Sequence, residues 1–134
     1  MNKIIIYWSG TGNTESIANK IKSDLGCEAV NVSGISALDA SKFDLLILGC
    51  PSMGCEELEN DEFLPFYKEL MTLAKGKKFA LFGSFGWGDG ECMRNWQEDV
   101  KNLGGNLLCD GLIVNGDDTA IDQNRYNAFI SALK

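Results

Sequence analysis

The sequence predicts an α/β domain built as a doubly wound, five-stranded parallel sheet with helices on both faces. Two observations predict it. Short apolar runs rich in β-branched residues alternate with longer segments whose apolar positions recur at helical spacing, the pattern of parallel strands joined by crossover helices. The segments that follow strands one, three, four and five are unusual loops, and in a parallel sheet all four open on the same edge.

Each element follows from local chemistry. The first strand is residues 3–8, with Ile4-Ile5-Ile6-Tyr7-Trp8 ended by Ser9-Gly10. From Thr14 onward Ile17, Ala18, Ile21 and Leu25 recur at helical spacing, and Gly26 supplies a C-terminal stop. Residues 28–32 form a short alternating strand, and residues 33–42 a polar loop with a helical turn. Leu45-Leu46-Ile47-Leu48-Gly49-Cys50 is continuously apolar, as a central strand buried on both faces must be. Residues 61–74 carry Phe63, Phe66, Tyr67, Leu70, Leu73 and Ala74 near helical spacing, with Pro65 near the first turn, where proline is tolerated. Lys78-Phe79-Ala80-Leu81-Phe82-Gly83 is the next strand, residues 93–103 the next helix, and residues 107–114 a last strand interrupted by a polar pair. Residues 122–133 close the chain as a helix with Tyr126, Phe129, Ile130 and Leu133 on one face. Trp8 and Trp96 lie on strand and helix patterns and are expected in the core.

Length and composition narrow the function. The 134 residues fit one domain, residues 1–134, and 45% hydrophobic with 23% charged residues is a globular composition. With 12 Lys plus Arg against 19 Asp plus Glu, the net charge of -7 repels nucleic acid and anionic membranes and favours partners with basic patches. The N-terminal apolar run is too short for a signal peptide and no run approaches the ~20 apolar residues of a membrane span, so a cytoplasmic protein is expected. Five cysteines without a C-x-x-C pair point to reduced thiols. Cys50 and Cys55 are spaced C-x4-C, but Leu58 stands where an iron–sulfur site needs its next cysteine. The chain has no histidine, which removes the usual general base and the commonest zinc ligand. Neither a metal site nor acid–base catalysis is expected.

The loop Ser9-Gly10-Thr11-Gly12-Asn13-Thr14 gathers glycines, hydroxyls and an amide directly before a helix, aiming several neutral donors at one small volume. It holds no Lys or Arg. No Lys follows the glycines as a Walker A loop requires, and Glu15 stands where the dinucleotide fingerprint needs its third glycine. A terminal monophosphate is the ligand this loop fits. Farther on, Gly86-Trp87-Gly88-Asp89-Gly90 surrounds an indole with glycines and leaves the backbone free to present the ring to a cofactor.

Three motifs in order, Tyr7-Trp8-Ser9-Gly10-Thr11-Gly12-Asn13-Thr14, Gly49-Cys50-Pro51-Ser52-Met53-Gly54-Cys55-Glu56 and Phe82-Gly83-Ser84-Phe85-Gly86-Trp87-Gly88-Asp89-Gly90, give the chain its resemblance to the flavodoxin family. It resembles above all the short-chain flavodoxins of anaerobic bacteria, and the element order matches throughout. The resemblance implies the flavodoxin-like strand order 2-1-3-4-5 and a non-covalently bound FMN carrying single electrons between redox enzymes. The expected FMN contacts are Ser9, Gly10, Thr11, Gly12, Asn13 and Thr14 at the phosphate, Ser52, Met53, Gly54, Cys55 and Glu56 at one wall of the flavin, and Ser84, Phe85, Gly86, Trp87, Gly88 and Asp89 at the other. By the same resemblance Trp87 stacks on the ring, Met53 faces it from the other side, the peptide after Gly54 turns toward flavin N5, and Glu56 accepts from N3–H. The implied partners are redox proteins with basic docking surfaces, such as reductases and ferredoxin-dependent enzymes, and the carrier itself is a monomer. Ligand binding beyond the strand ends at a topological switch point is a rule for which flavodoxins are themselves an example, so that agreement is not independent support.

The alternative is an FMN-dependent NAD(P)H oxidoreductase of the same fold, which would need open space over the ring that Trp87 and Met53 would fill. A thiol sensor at Cys55 and Cys92 is disfavoured by the carboxylates around it, which oppose thiolate formation. Cys55 departs from the Asp, Asn or Gly more common in the family at this position. A type II turn there requires φ > 0, which costs Cys on the order of 1 kcal/mol relative to Gly. The expected consequence is a first-electron potential some tens of millivolts more negative, since ~59 mV corresponds to ~1.4 kcal/mol for one electron. Redox titration of Cys55→Gly tests it: the potential should rise, and an unchanged value contradicts the expectation.

Overall fold

The computed structural model describes residues 2–8, 10, 12–50, 61–84, 91–116 and 118–134, with the backbone alone at 91 and 92. The strands are β1 (Lys3–Tyr7), β2 (Glu28–Asn31), β3 (Leu45–Gly49), β4 (Lys78–Ser84), β5 (Asn106–Leu107) and β6 (Leu112–Val114). The helices are α1 (Asn13–Leu25), α2 (Ala37–Ala40), α3 (Phe63–Leu73), α4 (Glu91–Asn102) and α5 (Gln123–Leu133), with 3-10 turns at Val32–Gly34 and Asp118–Ala120. All pairings are parallel, in the order β2-β1-β3-β4-β5, and β6 also pairs with β4.

The expected last strand is therefore two short ones that share the fifth place. Residues 106–107 pair with the start of β4, and Leu112–Val114 with its end. Between them the chain leaves the ladder at Cys109 and Asp110, and the Gln97 amide oxygen accepts the Gly111 N–H at 2.6 Å. The polar pair that interrupts the apolar pattern is the physical reason, because Asp110 is exposed and cannot continue a buried strand.

The period of two along each strand sorts the core into two layers. Ile4 and Ile6, Leu46 and Leu48, and Phe79 and Leu81 lie in register and join α2, α3 and α4 on one face. Ile5 and Tyr7, Leu45 and Ile47, and Ala80 and Phe82 join α1 and α5 on the other. On the first face Trp96 packs edge-on against Phe63 and Tyr67, with centroids 5.6 and 6.2 Å away. The Tyr67 hydroxyl donates to Asp99 at 2.7 Å, and burial with that carboxylate raises its pKa. On the second face the Tyr126 hydroxyl donates to Asp24, and Lys20 Nζ lies 4.9 Å above the Tyr126 ring, tying α5 to α1.

Helix faces match the expected stripes with one correction. Leu73 is 44% exposed. The buried stripe of α3 is centred on Phe63, Tyr67, Leu70 and Ala74, so Leu73 falls beyond its edge while Met71, on the opposite flank, is buried. Helix α4 also begins at Glu91, two residues before the periodic pattern first registers it.

Candidate functional site

The C-terminal ends of the parallel strands share one edge of the sheet, and there β1 is flanked by β2 on one side and β3 on the other. Chain connections leave β1 in one direction and β3 in the other, which opens a crevice beyond these two strands.

At the crevice Gly12 is the N-cap of α1 with φ 95° and ψ -10°, a left-handed conformation open to glycine and strained for other residues. Having no side chain, Gly12 caps nothing, and a helix leaves its first N–H groups without acceptors of its own. Asn13 opens the helix and Thr14 sits in its first turn, 1% exposed, with the Oγ1 atom buried and without a hydrogen-bond partner among the described residues. Such a hydroxyl is costly to bury alone. The helix dipole favours negative charge at this end, and among the described residues of the loop none is basic.

Two further contacts shape the rim. The Ser16 hydroxyl donates to the Asn13 carbonyl at 2.8 Å and accepts the Asp118 N–H at 3.1 Å, joining the first turn of α1 to the segment after β6. Ser84, last residue of β4 and 6% exposed, donates its hydroxyl to the Gly116 carbonyl at 2.7 Å, which ties the end of β4 to the same segment. Tyr7, the last residue of β1, has its pKa raised by burial and then by the Glu15 carboxylate, so its hydroxyl stays neutral beside α1.

Of the sequence-predicted contacts, Gly10, Gly12, Asn13, Thr14 and Ser84 are thus brought to one edge. Ser9, Thr11 and residues 52–56 and 85–89 lie outside the described residues. Trp8 differs from its expectation. It is half-buried and packs against the core, yet its indole Nε1–H donates to Glu62 Oε1 at 3.1 Å. Neither Trp8, Glu62 nor Ser16 was among the expected site residues. The available signal for Trp8 was its place, an aromatic N–H donor at the end of a strand and one residue from the glycine loop; Ser16 carried no signal.

Charge is distributed unevenly between the two ends of the sheet. Lys3 and Lys78 begin strands, Lys22 and Lys101 occupy last helical turns, and Lys75 and Lys77 precede β4, all on the edge away from the crevice. Glu15, Glu62, Glu91, Asp118 and Asp122 stand at helix starts on the crevice edge, with Arg94 and Arg125 among them, while Asp24, Glu28 and Asp44 share the lysine edge, so each edge carries an excess and not a single sign. Among the described residues no group of three or more His, Cys, Asp or Glu is placed to hold a metal, and Cys27 and Cys109 are free thiols. No described helix is long and apolar enough to cross a membrane.

Comparison with known proteins supplies the family. The flavodoxin family model matches residues 5–129. The chain is 43% identical over 125 residues to a flavodoxin of Clostridium beijerinckii, covering 90% of this chain and 91% of that one. It is 39% identical over 121 residues to the Megasphaera elsdenii flavodoxin, covering 87% and 88%. The solution structure of the two-electron reduced Megasphaera elsdenii protein superposes with a TM-score of 0.87 over 98% of this chain and 99% of that one, at 36% identity. Sequence relatives and fold agree across nearly the whole chain, which belongs to the flavodoxin family, proteins that bind FMN and carry electrons to redox partners rather than turn over a substrate of their own.

Proposed function

We propose that residues 1–134 work as a single domain with the FMN phosphate at the N-terminus of α1 and the flavin ring between the segments that follow β3 and β4. One observation carries the reading. The Thr14 hydroxyl is buried in the first turn of α1 without a partner among the described residues, and a phosphate oxygen would complete it. Bound FMN supplies the one-electron chemistry, and the chain binds and tunes it.

Gly12 lets the backbone turn into the helix with no side chain over the N–H groups, while Ser9, Thr11, Asn13 and Thr14 add neutral donors. The anion is held by neutral donors and the helix N-terminus rather than by an ion pair. Ser52, Met53, Gly54, Cys55 and Glu56 form one wall of the ring site, and Ser84, Phe85, Gly86, Trp87, Gly88 and Asp89 the other. The excess of carboxylates at the crevice edge and of lysines at the opposite edge orients the molecule in the field of a positively charged partner. That supports a carrier serving reductases and ferredoxin-dependent enzymes through their basic surfaces, which we read as a monomeric, cytoplasmic protein.

Stepwise reduction of the purified protein followed by visible spectroscopy tests the reading. Two separate one-electron steps are expected, with no rapid bleaching on mixing with NADH or NADPH. A colourless protein without affinity for FMN would overturn it.

A further inference from the structure

We propose that Trp8 is a positioning residue for the flavin, a clamp that holds both ends of the segment between β3 and α3 against the phosphate loop. The inference deepens the FMN reading and rests on it. Trp8 follows β1 directly, and its backbone N–H donates to the carbonyl of Gly49 at 3.0 Å, where the segment leaves β3. Its indole N–H donates to the carboxylate of Glu62 at 3.1 Å, where the segment enters α3. The same ring lies over Gly10: a Cβ there would stand 2.8 Å from Trp8 Cη2 and 3.2 Å from Cζ3. One residue therefore touches the start of the segment, its end and the glycine loop.

The Glu62 side chain supports this role. Glu62 is the N-cap residue of α3, yet its carboxylate makes no capping bond to the helix, and it accepts from the indole instead. A hydrogen bond to an ionised carboxylate is stronger than a neutral one. The indole cannot follow a moving Glu62, because it packs against the core layer that holds α3 and α4. Groups held in place before a ligand arrives lower the entropy lost on binding it. The clamp ties Gly10 of the phosphate loop to the end of β3 and the start of α3, the two elements between which the sequence puts Met53, Gly54, Cys55 and Glu56.

The test is a double-mutant cycle on the full chain with Trp8→Phe, which keeps an aromatic ring and removes the N–H, and Glu62→Leu, which removes the acceptor. Glu62→Gln removes the charge and keeps an acceptor. FMN dissociation constants and both potentials are measured, together with the exchange rate of the Trp8 indole N–H in apoprotein. Trp8→Phe and Glu62→Leu should each weaken FMN about tenfold and move the first potential by ~59 mV per tenfold of differential binding, the double variant no more than either, and Glu62→Gln should fall between wild type and Glu62→Leu. The indole N–H should be protected from exchange in wild-type apoprotein and lose that protection in Glu62→Leu. Additive losses, a Trp8→Phe protein within twofold of wild type, or an unprotected wild-type indole would overturn the clamp. Wild-type protein that fails to bind FMN would overturn the function on which it rests, and the exchange measurement would still decide the hydrogen bond.

Discussion

Replacing Thr14 by valine should stabilise the apoprotein and weaken FMN binding at the same time. Valine keeps the branched shape and removes only the hydroxyl. Without a ligand that hydroxyl is buried with no partner among the described residues, and such a group costs about 1–3 kcal/mol, so its loss should raise apoprotein stability by about 1 kcal/mol. With FMN bound, the hydroxyl would instead donate to a phosphate oxygen. Hydrogen bonds to charged groups contribute about 1.5–3 kcal/mol, which corresponds to roughly 10- to 150-fold in affinity. Thermal unfolding with and without FMN checks both signs, because a ligand stabilises in proportion to the logarithm of its concentration over its dissociation constant. The variant should unfold above wild type without FMN and show the smaller gain when FMN is added. A variant less stable as apoprotein, with unchanged affinity, would mean that the hydroxyl serves the fold and not the ligand.

Gly49→Ala should be the most damaging single methyl in the sheet. Gly49 is the last residue of β3 and lies in register with Phe82 of β4. A Cβ at Gly49 would come within 2.2 Å of Phe82 Cζ, 2.3 Å of Cε2 and 2.7 Å of Cε1. The Phe82 ring is fully buried among the α1 and α5 layer and has no open direction in which to swing. Overpacking of this kind costs about 3 kcal/mol, near the upper end of its usual range, and in a chain of this size lowers the melting temperature by roughly 10 °C. Denaturant unfolding measures it. Phe82→Leu makes room for the methyl, so the double variant should lose clearly less than the two single losses added together. A Gly49→Ala protein within 1 kcal/mol of wild type would show that the ring is not held as described.

The two cases differ in how far the sequence alone discloses them. The continuous apolar run from Leu45 to Leu48 announces a strand buried on both faces, and the periodicity of Ile17, Ala18 and Ile21 announces the inner side of α1, because burial acts on every residue of an element at once. Gly12 is legible for a related reason: a glycine before a helix is itself a local conformational demand, and φ 95° is what it meets. Gly49 reads only as the end of a strand, since its reason is a ring on the neighbouring strand. The same limit hides Trp8 and Glu62, which meet across 54 residues, and Ser16 and Asp118, which meet across 102. Local composition carries no record of which distant partner the fold delivers. The fifth strand was legible as apolar and interrupted by a polar pair, but not the pairing of its two pieces with opposite ends of β4, which Gln97 of α4 helps to set by accepting from Gly111.

The central claim is that a phosphate monoester is held at the N-terminus of α1 by neutral donors, with the Thr14 hydroxyl among them. Parallel titration of the apoprotein with FMN and with riboflavin, which lacks the phosphate, tests it most directly. The account predicts FMN binding at least about a hundredfold tighter, a difference of ~2.7 kcal/mol, and a smaller ratio in Thr14→Val. Equal affinity for the two flavins would contradict it.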